Sequence, residues 1–207
     1  MIEKVVSDYL VVGAGAMGMA FTDVLMTETD ATVTIVDRHS HPGGHWNDSY
    51  SFVRLHQPSS FYGVNSRELG NDTKDLVGGN AGLYELASGT EVVTYFDQVM
   101  NQQFLPTGRV RYMPTSEYLG DGLICDLISG IEVVVDARKI VNATYMNVTV
   151  PAVTTPSYDV LEGVQCIPPN ELPSITTTPD GYVVIGGGKT AIDSCLWLLS
   201  NDVNPEA

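Results

Sequence analysis

Apolar positions along this chain fall into short runs and helical faces separated by turn residues. Residues 8–12 (DYLVV) form a compact apolar run with β-branched side chains, which predicts a buried strand. Within residues 17–26, Ala20, Phe21, Val24 and Leu25 recur at helical spacing, and residues 31–37 (ATVTIVD) return to a strand pattern that ends in an acid. Farther on, Ser88 and Glu91 have capping-box spacing. Val92, Val93, Phe96, Val99, Met100 and Phe104 then make one apolar face, so a core-facing helix is predicted up to Pro106.

Residues 69–89 are rich in Gly, Asn, Asp and Ser and predict a loop with one short helix. Three strand-like runs follow at 109–113, 123–128 and 132–137. Gly120-Asp121-Gly122 and Ser129-Gly130 punctuate them, which predicts a small antiparallel meander. Residues 139–144 (KIVNAT) predict one more strand. Prolines crowd residues 151–179 and predict an extended linker, after which 181–185 (GYVVI) reads as a strand and 192–199 as the start of a helix.

Glycines stand where the pattern switches from strand to helix. Gly13-Ala14-Gly15-Ala16-Met17-Gly18 is a GxGxxG turn, with Gly13 for the tight bend, Gly15 for close approach to a pyrophosphate and Gly18 for helix–strand packing. The helix start adds unpaired N–H groups and the positive end of a dipole. Asp37 falls about 20 residues beyond, where a carboxylate accepts ribose hydroxyls and repels a 2′-phosphate; FAD or NAD is favoured over NADP at this site. A second motif, Gly186-Gly187-Gly188-Lys189-Thr190-Ala191, reads GxGxxA. It is not a P-loop, because Val183 stands where that motif needs glycine.

Composition narrows the field. Ten Lys and Arg against 25 Asp and Glu give a net charge of −15, which repels nucleic acid and an anionic membrane surface. Cys125, Cys166 and Cys195 are scattered and form no CxxC, so neither a disulfide framework nor a thiolate metal site is indicated, and a reducing cytoplasm is expected. His39, His41, His45 and His56 cluster, but their spacing lacks the helical HExxH arrangement, and no metal is expected. The apolar run at the N-terminus is too short for a membrane span and too acidic in its flank for a signal peptide.

After Asp37 the chain reads Arg38-His39-Ser40-His41-Pro42-Gly43-Gly44-His45-Trp46. An acid, a spacer and GGxW resemble the flavin-containing and Baeyer–Villiger monooxygenases. That resemblance implies an α/β fold: a Rossmann-like FAD-binding domain over residues 1–150 with a parallel sheet and a small meander, the linker 151–179, and the beginning of an NAD(P)-binding domain over 180–207, which is expected to be cut short. It places Asp37 on the adenosine ribose, Arg38 near the adenine, and Gly43, Gly44, His45 and Trp46 beside the flavin. Residues 52–63 resemble the loop that reaches the flavin ring, with His56 and Gln57 as positional matches and Arg54 and His56 as catalytic candidates.

By the same resemblance Ala143 and Thr144 stand at an ATG motif whose glycine is replaced by Tyr145, and Gly186, Gly188 and Lys189 inherit the NADPH pyrophosphate. The cofactors implied are FAD and NAD(P)H, acting on a small-molecule substrate, with homo-oligomerisation left open. No FxGxxxH signature lies between the two glycine motifs and no CxxxxC pair follows the first, so a general FAD-dependent oxidoreductase, monooxygenase-like, is the expectation rather than a dithiol reductase. Two alternatives stand beside it. One is a non-catalytic dinucleotide-binding fragment, and the other a single-Rossmann NAD dehydrogenase, which leaves GGHW and the second motif unexplained.

Overall fold

Residues 3–144, 152, 154–177 and 179–203 are described by the computed structural model. Strand β1 (Glu3–Val12) starts earlier than its apolar run, because its first half pairs along a neighbouring strand as well. Helix α1 (Ala16–Glu28) follows the glycine turn, and β2 (Val33–Val36), fully buried, lies parallel to β1 with Tyr9 opposite Val33 and Val12 opposite Val36. Two short strands, β3 (Gly63–Val64) and β4 (Arg67–Glu68), make a hairpin that the apolar pattern did not foretell. Its fold is imposed from outside: the buried Asp23 of α1 accepts the N–H and hydroxyl of Ser66, and the Tyr95 hydroxyl bridges Val64 and Arg67.

Helix α2 (Gly89–Val99) begins with the expected capping box between Ser88 and Glu91. It runs through a π turn (Met100–Phe104) into a final 3-10 turn (Leu105–Thr107) that holds Pro106 and closes at Gly108, whose φ of 69° is the left-handed conformation that glycine tolerates. Val92, Phe96, Val99, Met100 and Phe104 are buried as predicted, each contributing about 1.5–3 kcal/mol through removal from water.

Strands β5 (Val110–Met113), β6 (Ser116–Gly120), β7 (Leu123–Asp126) and β8 (Glu132–Asn142) complete a six-stranded sheet of order β5-β2-β1-β8-β7-β6. The meander exists, but with different members from those expected. Residues 110–113 pair parallel to β2, and their place beside β7 is taken by Ser116–Gly120, whose polar alternation hid it. The two runs at 132–137 and 139–144 are one continuous strand. Its first half pairs antiparallel with β7 on one edge, while its whole length runs parallel to β1 on the other. Leu10, Val36, Ile124 and Val135 bury on one face of this sheet and Val11, Val33 and Ile35 on the other, under α1 and α2, as period-two alternation requires.

Residues 69–88 contain no helix and are tied instead by two isolated bridges, Lys74 with Tyr84 and Arg54 with Ser88. Residues 181–185 form no strand, contrary to expectation. Their extended backbone finds no ladder partner among the described residues, and Val183 is 90% exposed. Helix α3 (Lys189–Ser200) does follow the second glycine motif. Tyr145 and residues 204–207 lie outside the described residues. Among those described, no helix is long and apolar enough to cross a membrane.

Candidate functional site

Because β1, β2 and β8 are parallel, their C-terminal ends share one edge of the sheet. Gly13, Asp37 and Ala143, from three distant parts of the chain, emerge there together. The chain goes from β1 to β2 on one side, whereas β8 flanks β1 on the other, so this edge is also where the strand order reverses and ligands settle in open α/β sheets.

At the bend itself Gly13 has a φ of 103°, and a Cβ on Gly18 would overlap the Gly13 carbonyl oxygen, so helix and strand meet at a distance only glycine allows. Gly15 caps α1 with no side chain bonded to its first turn and no acid within it, which leaves backbone donors facing outward beside the exposed Met17. Ala143 and Thr144 border Gly13: a Cβ there would lie 3.1 Å from Thr144 Cγ2.

The glycine pair after Asp37 returns to this same bend. The Gly43 N–H donates to the Ala14 carbonyl at 2.8 Å, and a Cβ on Gly44, whose φ is 58°, would stand 3.0 Å from Gly15 Cα. His45 and Trp46 continue in a 3-10 turn (Gly44–Asp48), their rings stacked at 5.4 Å. The Trp46 indole N–H is not free, since it donates to the Tyr62 hydroxyl at 2.7 Å.

Asp37 is 7% exposed and its carboxylate already has partners: Oδ2 accepts the Ala14 N–H at 2.6 Å, and Oδ1 accepts the His39 N–H at 2.8 Å and faces the His39 ring at 2.9 Å. Those bonds outweigh the cost of burial and hold the carboxyl below its ordinary range. Asp37 and Asp48 in turn hold His39 above its ordinary value despite partial burial. Arg38 is exposed.

The remaining expected residues are not gathered here. The Arg54 guanidinium donates to the Leu86 carbonyl at 3.0 Å and opens on a cleft of about 410 Å³ lined by Arg67, Glu85, Glu91 and Tyr95, among others, but by no residue of the first glycine turn. His56 is exposed and Gln57 half-buried on the same loop. In the second motif Gly186 has a φ of 131° and Gly188 caps α3, while the Lys189 ammonium is engaged by Asp193 and by the Arg54 carbonyl rather than held ready for a ligand. The Tyr50 hydroxyl donates to Asp193 at 2.6 Å, and Phe52 stacks on Trp197 at 5.4 Å, so α3 docks on the loop after Trp46. Sequence reasoning passed over the His39–Asp48 and Tyr50–Asp193 pairings. Nothing in their spacing announces them, since turns rather than periodic elements bring them together.

A fold of this form has known counterparts. Residues 11–60 match the NAD(P)-binding Rossmann-like domain family. Cyclohexanone monooxygenase from Rhodococcus sp. Phi1 bound to NADP+ superimposes with a TM-score of 0.53 at 20% identity, over 96% of this chain and 37% of that one; a triple mutant of it gives 0.52 at 20% identity over 95% and 37%. The chain has a Rossmann-like fold, shared with cyclohexanone monooxygenase. The fold expected from the glycine motifs and GGHW is thus met by the backbone. Uncharacterized proteins of Mycobacterium tuberculosis and Mycobacterium bovis are 58% identical over 204 residues, covering 99% of this chain. The chain spans 38% of the length of these relatives.

An uncapped helix start, a glycine-to-glycine approach that leaves backbone bare, and a buried carboxylate one strand away suit the pyrophosphate and ribose of a dinucleotide.

Proposed function

We propose that this chain is the FAD-holding part of an FAD-dependent oxidoreductase of the monooxygenase-like kind, reduced by NAD(P)H. The observation that supports it most is the closure of Gly44 on Gly15, which joins GGHW to the GxGxxG turn beside Asp37. A fold shared with an enzyme that binds NADP+ supports the same reading. The residue range 1–150 is proposed as the FAD-binding domain and 180–207 as the start of an NAD(P)-binding one.

Bound FAD would supply hydride-acceptor and electron-transfer chemistry. The chain's residues supply position and electrostatics. The N–H groups of Gly15, Ala16 and Met17 would hold the pyrophosphate, and Asp37 would accept a hydrogen bond from a ribose hydroxyl at Oδ2, beside the one it takes from Ala14. Gly43 and Gly44 let backbone lie against the ligand, with His45 and Trp46 as its apolar flank. Ala143 and Thr144 close the other side of the bend. Arg54, His56 and Gln57 belong to the loop proposed to approach the ring, and Gly186, Gly188 and Lys189 to the NAD(P)H site.

A second reading, a dinucleotide-binding unit without turnover, is favoured by two observations: Lys189 is tied to Asp193, and residues 181–185 join no sheet among the described residues. Anaerobic addition of NADPH or NADH to the FAD-reconstituted chain separates the two. Bleaching of the flavin absorption is expected of the oxidoreductase, and an unchanged spectrum with either nucleotide counts for the binding unit.

A further inference from the structure

His39 lies between the acid that ends β2 and the turn that follows the glycine pair, and both of its ring nitrogens face carboxylate oxygens. Nδ1 is 2.9 Å from Asp37 Oδ1 and Nε2 is 2.9 Å from Asp48 Oδ2. A neutral imidazole has one N–H and one lone pair, so it satisfies one of these carboxylates and turns a lone pair on the other. Only the imidazolium makes both contacts hydrogen bonds. The side chains are sheltered, 18% exposed for His39, 6% for Asp37 and 28% for Asp48, where charge-assisted bonds are strong. The backbone fixes the ring's origin: the His39 N–H donates to Asp37, and its carbonyl accepts the Thr115 N–H at 3.0 Å.

We infer that His39 is a positioning residue for dinucleotide binding: as an imidazolium it clamps Asp37 to Asp48, aims the Asp37 carboxylate at the glycine turn and offsets one of two adjacent negative charges. The inference rests on the reading of Asp37 as a ribose acceptor. A carboxylate has about four acceptor sites. Three are taken on Asp37, one by Ala14 and two by His39, so a single site on Oδ2 is left for one ribose hydroxyl. With Oδ1 held by the ring, the carboxylate cannot turn Oδ2 away.

Loss of the His39 proton turns a lone pair on one of the two carboxylates, loosens the clamp between Asp37 and the Gly44–Asp48 turn, and leaves two uncompensated negative charges beside the place of an anionic pyrophosphate. The other titratable groups within electrostatic reach are His45 of the same turn, which opposes a charge on His39, and Tyr112 of β5, which feels the charges of Asp37 and of Asp97 of α2. The two carboxylates place the transition on the alkaline side of the ordinary imidazole range.

FAD titrated into the flavin-free 207-residue chain between about pH 5.5 and 9.5, followed by quenching of flavin fluorescence, reads the effect directly. Affinity is expected to fall about tenfold as pH rises through the His39 transition, the worth of a hydrogen bond to a charged group. His39→Gln is expected to bind with the weaker affinity at every pH, and Asp48→Asn to move the midpoint down. The His39 ring resonances in NMR should titrate at the same midpoint, which serves even where His39→Gln does not fold. A wild-type affinity independent of pH, or a His39→Gln profile like the wild type, overturns the positioning role while leaving FAD binding intact. A wild-type chain that takes up no FAD at any pH overturns the dinucleotide reading and this inference with it.

Discussion

A Cβ on Gly44 would stand 3.0 Å from the Cα of Gly15, although the two residues belong to different turns on either side of β2. Gly44 also has a φ of 58°, so a side chain there meets two obstacles at once. Gly44→Ala is expected to destabilise the chain by about 1–2 kcal/mol from the left-handed backbone. By pushing the turn off the bend, it should weaken FAD binding about tenfold or more. Chemical denaturation and a flavin titration on the same variant measure the two effects.

Gly18 tests the packing of helix on strand rather than the ligand. A Cβ there would overlap the Gly13 carbonyl oxygen, a backbone atom that cannot rotate aside. Gly18→Ala should therefore cost about 1–3 kcal/mol or more, as overpacking of a tight core does. The urea midpoint should drop without a change in slope.

The strand–glycine–helix–strand–acid unit was legible because each step changes the local period of the sequence, and Asp37 lies where that pattern ends. The capping box and the apolar face of α2 were legible for the same reason. What escaped depends on long-range partners. Ser116–Gly120 alternates with polar residues and becomes a strand only by pairing with β7, and the β3–β4 hairpin is held by Asp23 and Tyr95 from two helices. Residues 181–185 erred the other way: an apolar β-branched run predicts a strand, yet a strand exists only in a ladder. Within the site, the glycines and the acid could be read, whereas the imidazole between Asp37 and Asp48 is brought there only by the folded turns.

Stability should vary with pH through the same pair. His39 has a raised folded value, so its contribution is complete below its ordinary value of 6.5 and is lost as pH rises through the folded one. Asp37 has a lowered value, so its contribution is complete above its ordinary 3.8 and is lost as pH falls through the folded one. Thermal unfolding of the wild type should show maximum stability between these limits. His39→Gln should lose the decline on the alkaline side and weaken the one in acid, because burial opposes the Asp37 charge and the His39 ring is the foremost of the groups that lower its carboxyl.

Docking of α3 rests on few contacts, chiefly Phe52 against Trp197 and Tyr50 against Asp193. Trp197→Ala removes an aromatic pair worth about 0.5–1.5 kcal/mol beyond its buried area, together with that area. Hydrogen exchange should then accelerate in Lys189–Ser200 while the amides of β1 and β2 keep their protection. Equal acceleration in both would mean that α3 and the sheet open as one unit.

The central claim is that the edge formed by Gly13, Asp37 and Gly44 holds FAD. Calorimetric titration of FAD into the flavin-free 207-residue chain, run beside Asp37→Asn, tests it most directly. Saturation at about one FAD per chain, with affinity lowered by Asp37→Asn by about tenfold, is the predicted result. No saturable binding, or binding that Asp37→Asn leaves unchanged, would contradict it.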